Sequence, residues 1–309
     1  MMDPVTPSGQ QVTIRSGDYE ATTTEVGGGL RTLTWRGRPL VAGFEVGQIR
    51  TAYRGSVLAP WPNRVVDGKY SWEGRDFRLP LTEPERGHAL HGLVVWERFA
   101  VVESGDDAVV WAATTVPQPW YPWCIEVRSA YRLTGAGLEW SVSGRNLSEA
   151  AAPFGCGIHP YLLAPAGAVD DWSLTLPAAA VQEASPDRLV PGGLSRLAEP
   201  PGTPIPLRGR AFDNAFTELT TTDVGTCAAS LTDGAGRGVR LSWDASAPWV
   251  QVYTCDGMPG AHRRAVAIEP MTCGPDAFNS AAADVRLEPG ETRGLRVLVA
   301  ALAGGNGAG

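Results

Sequence analysis

The sequence has little basic charge and no cluster of it. Across 309 residues, 26 Lys and Arg are opposed by 33 Asp and Glu, which gives a formal net charge of −7. No basic block exceeds three residues, so the electrostatic footprint of a nucleic-acid-binding protein is missing. No apolar run approaches the ~20 residues that a membrane-spanning helix needs. We therefore expect neither a nucleic-acid partner nor a membrane partner.

Cysteine is scarce and irregularly placed. The five residues are odd in number and widely spaced, and no Cys-x-x-Cys pair occurs. This pattern predicts reduced, mostly buried thiols in a cytoplasmic protein, and it disfavours a zinc site. The N-terminus lacks the basic-then-apolar pattern of a signal peptide.

Helical periodicity over eleven or more residues is also missing, while 37 Gly and 25 Pro divide the chain into short runs. The clearest run is 125–133, where apolar and charged side chains alternate, and the alternation resumes after a turn at 134–137. We predict an antiparallel hairpin here. Similar runs occupy 12–15, 30–35, 108–115, 172–176, 239–243, 250–255, 265–268 and 295–301. Many short strands between turn signals predict an all-β sandwich or barrel with antiparallel sheets and few short helices.

The chain shows no fixed-period repeat and no linker between two cores. With 43% hydrophobic residues it can bury a large core, so we expect a single domain over residues 1–309. The Pro- and Gly-rich segment 186–206 is interpreted as a long surface loop. Residues 1–10 and 304–309 are interpreted as flexible ends.

Half of the four histidines lie in one stretch, residues 58–92. It contains Asn63 and Arg64 near its start and His88 and His91 near its close. Between them, two alternating runs flank a Glu-Gly turn pair, which predicts a hairpin. Because a hairpin brings its flanks together, we expect Arg64 and His91 to share one surface.

Three further candidate groups lie at the ends of strand-like runs. His159 sits among glycines and before a proline, Asp213 lies between aromatic residues, and Glu269 follows an apolar run. Each has an ordinary structural explanation, such as a hydrogen-bonded histidine or a solvated turn. Together they are suited to acid–base chemistry on a polyhydroxylated ligand. Neither a nucleophile elbow nor a phosphate-binding glycine motif occurs, and Cys156 has no evident orienting partner.

Six short motifs, in this order, resemble the aldose 1-epimerase (galactose mutarotase) family. They are Asn63-Arg64, Leu90-His91-Gly92, His159-Pro160-Tyr161, Phe212-Asp213-Asn214, Gln-Val-Tyr-Thr at 251–254, and Glu269-Pro270 with Pro-Asp-Ala-Phe-Asn at 275–279. The resemblance covers about residues 20 to 300. It implies a β-supersandwich of the galactose mutarotase type, with a carbohydrate cleft across one sheet.

The resemblance also implies residue roles. Glu269 corresponds to the general base and His159 to the general acid, while His88 has no counterpart. The residues implied to bind the sugar are Arg64, His91, Asp213, Gln251 and Asn63. The implied reaction interconverts the α and β anomers of a free hexose by ring opening and closing. The ordinary pKa is about 4.3 for Glu and about 6.5 for His. At neutral pH we therefore expect Glu269 to be charged and His159 to be close to the pH at which it gains or loses its proton.

One acid and one base suffice for this reaction, so we expect no metal and no organic cofactor. The expected partner is a small monosaccharide, and the protein is expected to be a monomer or a homodimer.

Three alternatives stay open from the sequence. The stretches 59–62 and 81–88, together with Leu93, resemble a bacterial subgroup that includes sulfoquinovose mutarotases, which suggests an anionic sugar. A sulfonate or phosphate would need a cation, and the candidates are Arg54, Arg86, Arg263 and Arg264. The second alternative is a carbohydrate-binding protein without turnover. The third is a glycoside hydrolase that uses Glu269 and Asp213 as its two carboxyl groups.

Overall fold

The computed structural model describes residues 6–257 and 262–304. They form 27 strands, one short α-helix and three 3₁₀ turns. The strands are β1 (Gln11–Ser16), β2 (Tyr19–Thr24), β3 (Leu30–Trp35), β4 (Arg38–Pro39), β5 (Ser56–Leu58), β6 (Arg64–Val65), β7 (Lys69–Trp72), β8 (Arg75–Arg78), β9 (Ala89–Leu90), β10 (Ala100–Ser104), β11 (Ala108–Thr114), β12 (Ile125–Thr134), β13 (Gly137–Asn146), β14 (Ala152–Pro153), β15 (Gly157–His159), β16 (Tyr161–Leu162), β17 (Ser173–Thr175), β18 (Ala178–Ala184), β19 (Pro191–Arg196), β20 (Pro204–Pro206), β21 (Asp213–Leu219), β22 (Cys227–Thr232), β23 (Arg237–Trp243), β24 (Trp249–Tyr253), β25 (Val266–Met271), β26 (Arg286–Leu287) and β27 (Thr292–Ala303). The helix α1 spans Ala277–Ser280, and the 3₁₀ turns span Val66–Gly68, Val94–Trp96 and Val169–Asp171.

Two large antiparallel sheets dominate the fold. A nine-stranded sheet has the order β10-β11-β12-β13-β27-β23-β22-β17-β20. An eight-stranded sheet has the order β19-β18-β21-β24-β25-β15-β5, with β16 also paired to β25. A four-stranded sheet, β1 to β4, and three two-stranded pairs complete the structure. The all-β prediction is confirmed.

The predicted hairpin at 125–133 is formed by β12 and β13, with Tyr131 opposite Trp140. The alternating side chains of β12 point as expected, since Ile125, Val127 and Tyr131 are buried while the charged positions are not. One continuous hydrophobic cluster takes residues from both large sheets, including Trp140 of the first and Ile268 of the second. This cluster is the packed interior of a sandwich.

The prediction of a surface loop over 186–206 is wrong. This segment contains β19, which pairs with β18, and β20, which pairs with β17. Both are edge strands, where a proline costs no ladder hydrogen bond on the open side. Pro191, Pro204 and Pro206 interrupt the alternation that normally identifies a strand, so the sequence pattern was hidden.

The chain ends are described only in part. Residues 1–5 and 305–309 of the predicted flexible ends lie outside the described residues. Ser8 is buried and donates a hydrogen bond to the Val46 carbonyl over 3.2 Å. The backbone N–H of Gln10 donates to Glu25 over 2.7 Å. The described part of the N-terminal end is therefore packed against the domain.

All five cysteines lie in the described part of the chain and are free thiols, and four of them are buried. This confirms the prediction that the cysteines are mostly buried. Within the described ranges, no helix is both long and apolar enough to cross a bilayer.

The hairpin predicted within 58–92 is also present, as β7 paired with β8. Its flanks meet as β6 paired with β9, where Arg64 lies opposite Leu90. Gly92 follows directly, with φ +81°, and its Cα passes so close to the Ala59 carbonyl that an added Cβ would lie 2.0 Å from the oxygen. Only glycine fits this crossing.

Gly92→Ala is expected to lower the free energy of unfolding by about 3 kcal/mol or more, because it combines a left-handed φ with a backbone clash. Gly74 is the matched control, since its φ is +76° but nothing lies within 4 Å of an added Cβ. Gly74→Ala should therefore cost only about 1 kcal/mol. Urea unfolding of both variants measures the difference. Equal losses would contradict the close approach at Gly92.

Candidate active site

A cleft of about 830 Å³ opens over the eight-stranded sheet. Its floor comes from neighbouring strands, which place Asp213 at the start of β21, Gln251 in β24 and Glu269 in β25. Gln251 lies directly opposite Glu269 in the register. Val250 and Val252 are fully buried in the core, so Gln251 points into the cleft as its alternation predicted.

One wall of the cleft is formed by the loop residues around β6 and β9. The N–H of His91 donates to the Asn63 carbonyl over 2.9 Å, and the N–H of Asn63 donates to His91 Nδ1 over 3.2 Å. Both residues have positive φ, 56° for Asn63 and 64° for His91. Such strained conformations cluster where a site fixes side-chain positions. The expectation that Arg64 and His91 share one surface is confirmed.

A chain of hydrogen bonds joins this wall to the floor. The Asn63 side-chain amide donates to Gln251 Oε1 over 3.1 Å, and Gln251 Nε2 donates to Asp213 Oδ1 over 2.8 Å. Gln251 thus uses both ends of its amide to hold two other predicted site residues. The seven residues predicted for the site all line this one cleft.

His159 and Glu269 meet at the bottom of the cleft, with His159 Nε2 3.2 Å from Glu269 Oε1. Their side chains are only 5% and 2% exposed. Among the described residues, neither His159 Nδ1 nor Glu269 Oε2 has a hydrogen-bond partner. Buried polar atoms without partners are rare, and at such a position they indicate a functional group.

Burial shifts both groups away from their charged forms. It lowers the pKa of His159 to about 3. The histidine's own carbonyl opposes this shift, and the positive charge of Arg50 adds to it. It raises the pKa of Glu269 well above its usual range, helped by the charge of Asp213 and opposed by Arg64. Burial is the largest cause of both shifts, so the pair does not keep the ordinary pKa values expected from the sequence. Since both charged forms are disfavoured, we expect the pair to hold one proton between them at neutral pH.

Aromatic rings enclose the imidazole of His159. Tyr161 stacks on it with ring centroids 4.9 Å apart, and Tyr53 lies nearly parallel at 6.3 Å. His91 meets it edge-on at 5.2 Å. These rings exclude water and explain much of the desolvation. Tyr53 was not identified from the sequence; it lies in an irregular turn and has a positive φ of 55°.

Glu83 is the other residue that sequence reasoning missed. Its carboxylate accepts two hydrogen bonds from Arg64, over 2.7 and 2.9 Å, and one from Arg86 over 2.8 Å. The Arg64–Glu83 pair is buried, so removing Arg64 alone would leave a buried unpaired charge, a cost of about 3–5 kcal/mol. The only sequence signal was the three-residue spacing of Glu83 and Arg86, which says nothing about Arg64.

One further histidine and two tryptophans lie apart from the cleft. His88 is buried and holds loops together through the Asp67 N–H and the Arg188 carbonyl. Trp61 is buried and donates to the Ala89 carbonyl, while Trp96 is exposed. Neither tryptophan is among the described residues that line the cleft.

Three of the four candidate arginines do not line the cleft either. Arg54 donates to the Gly43 carbonyl and to Thr51. Arg263 binds Asp170 and Asp256, and Arg264 lines a separate groove. Of these four arginines, Arg86 alone lines the cleft.

One donor atom each of His91, His159 and Glu269 lies within 4.8 Å of the others, a spacing that a divalent cation could bridge. His91 Nδ1 already accepts a hydrogen bond from Asn63, so Nε2 is its available ligand atom. A cation here would occupy the lone pairs that acid–base chemistry requires.

Glu269→Gln is expected to raise the melting temperature. A group whose folded pKa is raised contributes stability at low pH and loses that contribution as pH rises through the folded pKa. The advantage of the variant should therefore grow as the pH rises above the ordinary Glu pKa of about 4.3, by about 2–4 °C for each kcal/mol recovered. Thermal unfolding across this range measures it, with the exposed Glu85→Gln as the control. A constant difference between the variant and the wild type would show that Glu269 ionises normally.

The family model for aldose 1-epimerase matches residues 10–300. The uncharacterized protein YihR of Escherichia coli (strain K12) is 32% identical over 298 residues, covering 93% of this chain and 92% of that protein. A galactose mutarotase-like protein from Clostridium acetobutylicum has a TM-score of 0.83 at 16% identity, covering 94% of this chain and 95% of that chain. Galactose 1-epimerase from Lactobacillus acidophilus NCFM has a TM-score of 0.80 at 14% identity, covering 96% and 95%.

The two solved structures confirm the galactose mutarotase-like fold. The family model spans nearly the whole chain, and it matches the stretch in which the six motifs occur. The chain therefore belongs to the aldose 1-epimerase family.

Proposed function

We propose that this protein interconverts the α and β anomers of a free, uncharged hexose. The observation that carries the proposal is the buried contact between His159 and Glu269 at the bottom of an open polar cleft. Both reacting oxygens of a cyclic aldose are attached to C1, so an acid and a base in mutual contact can reach both. Membership of the aldose 1-epimerase family supports the same chemistry.

In the proposed reaction, Glu269 removes the proton from the anomeric hydroxyl and His159 donates a proton to the ring oxygen. The bond between C1 and the ring oxygen breaks, which gives an open-chain aldehyde. Rotation about the C1–C2 bond presents the other face of the aldehyde, and the same two groups reverse their roles to close the ring. The pair starts and ends with one exchangeable proton. Burial favours that proton on Glu269, so it first passes to His159 across their 3.2 Å contact, which makes Glu269 the base and His159 the acid.

The remaining polar groups are proposed to hold the sugar's hydroxyls. Asp213, Gln251 and Asn63 form one hydrogen-bonded row, so a hydroxyl bound to any of them meets a pre-oriented partner. Such pre-orientation favours one ring position over the acid–base pair. Arg64 is held rigidly by Glu83 and can offer its remaining donors.

The charges of the cleft support an uncharged substrate. Five carboxyl groups line it, from Glu83, Glu85, Asp213, Asp256 and Glu269. The two guanidinium groups that line it, Arg64 and Arg86, both contact Glu83. A sulfonate or phosphate would therefore enter a cleft without an excess of positive charge.

An anionic sugar is the second candidate, and one observation favours it. The Arg86 side chain is 36% exposed, and Glu83 is its one side-chain hydrogen-bond partner among the described residues. Arg86 lines the cleft together with Tyr53 and Glu85, so its remaining donors could bind a substituent at the far end of a sugar.

Glu269→Gln and His159→Ala are each expected to lower kcat for anomer exchange by about 10²–10⁴-fold, because each removes one proton-transfer group. Dissolving pure α-glucose and α-galactose and following polarimetry or exchange NMR measures the rate. Asp213→Asn is the matched control: it should raise KM and leave kcat within about threefold, since it removes a hydroxyl contact.

If the wild type binds sugars without accelerating exchange, the protein is a carbohydrate binder and the catalytic assignment fails. Release of reducing sugar from glycosides would instead indicate a hydrolase.

Neutral hexoses are expected to exceed sulfoquinovose in kcat/KM by about tenfold, which corresponds to ~1.4 kcal/mol. Competition between the two sugars in one exchange NMR sample measures the ratio. A preference for sulfoquinovose that disappears in Arg86→Ala, but persists in the exposed control Arg78→Ala, would establish the anionic substrate instead.

A further inference from the structure

Ser56 lies beside His159, the proposed acid, on the neighbouring strand. In the antiparallel pair of β5 and β15, the register places Ser56 opposite His159. The Cβ atoms of directly opposed residues lie about 4.5–5.5 Å apart and on the same face. Ser56 is fully buried and does not line the cleft.

These two opposed side chains both carry unsatisfied polar atoms. Over the described residues, neither Ser56 Oγ nor His159 Nδ1 has a hydrogen-bond partner. Each such group is costly when buried, by about 1–3 kcal/mol. Two of them on facing positions can satisfy each other when the serine rotates about χ1, which needs no movement of the backbone.

The orientation of the imidazole fits this pairing. Its Nε2 edge contacts Glu269, which leaves Nδ1 as the opposite edge. The backbone carbonyl of His159 accepts the N–H of Gly55, the residue just before β5, so His159 adjoins the start of that strand. With Nε2 turned to Glu269 on β25, the Nδ1 edge is the one left for the other neighbouring strand, β5, where Ser56 lies opposite.

We infer that the Ser56 hydroxyl accepts the Nδ1–H of His159 and so makes Nε2 the nitrogen that exchanges its proton with the sugar. The inference rests on the proposed role of His159 as the acid. Giving up Nε2–H leaves a neutral imidazole whose remaining proton is on Nδ1. An acceptor at Nδ1 favours that tautomer and keeps the ring in place. Ser56 is thus a positioning residue, since it does not touch the substrate.

Few titratable or charged groups face His159 among the described residues, so the pH profile of kcat can be assigned to named groups. Glu269 contacts it from β25, Tyr161 from β16, Tyr53 from the turn before β5 and His91 from the loop after β9. The charge of Arg50 also acts on it. A Ser56 variant substitutes none of these groups.

Ser56→Ala is expected to lower kcat for anomer exchange about tenfold and to leave KM within about twofold. The imidazolium loses an acceptor, so the pKa of His159 read from the pH profile of kcat should fall. Histidine ¹⁵N NMR reads the tautomer directly, and the chain has only four histidines, so a His159→Gln spectrum assigns the signal. The wild type should show Nδ1–H, and Ser56→Ala should show Nε2–H.

Two further variants separate positioning from folding. Ser56→Thr keeps the hydroxyl and should restore both the tautomer and most of kcat. Ser129→Ala removes another buried hydroxyl, one that accepts the indole N–H of Trp140 in the other large sheet, and should leave the pH profile unchanged.

An active wild type with unchanged kcat, pH profile and tautomer in Ser56→Ala would overturn the inference. If the wild type accelerates no anomer exchange, the proposed function fails, and the tautomer measurement still decides the role of Ser56.

Discussion

The contact between His159 and Glu269 is the interaction around which the site is arranged. Two titratable groups are buried together at the point where β15 and β25 are neighbours, and neither is compensated by a full set of hydrogen bonds. Such an arrangement is unfavourable for stability, because burial penalises each charged form. The surrounding sandwich, with its continuous core, is what makes this local cost tolerable. The proposed ring opening would use this buried contact, because it moves protons at the two oxygens attached to C1 of the sugar.

Much of the fold could be predicted because antiparallel strands with one buried face leave a period of two in the sequence. The hairpin of β12 and β13 shows this most clearly. The prediction failed at β19 and β20, where prolines and glycines on sheet edges obscure the period. A central strand shows the period of two in its own sequence, whereas an edge strand can be recognised only from the strand with which it pairs.

The candidate site residues were identified from motif order. Asp213 begins β21 and His159 ends β15, whereas Gln251 and Glu269 lie inside β24 and β25. What the sequence could not provide was the environment of these groups. The partnership of Arg64 with Glu83, 19 residues away, is set by tertiary structure. The shifted pKa values of His159 and Glu269 depend on how completely the rings and strands around them exclude water. Tyr53 and Ser56 stand in or beside an irregular turn, and only the assembled structure shows that both adjoin His159.

The edge position of β19 has a consequence for how this family diversifies. The connection from β18 to β19 supplies Ala184, Pro186 and Leu189 to the cleft, while the acid–base pair lies on central strands. An edge strand has a neighbour on one side only, so insertions and substitutions there disturb few other residues. Substitutions in this wall can therefore change what the cleft contacts without altering the strands that hold His159 and Glu269.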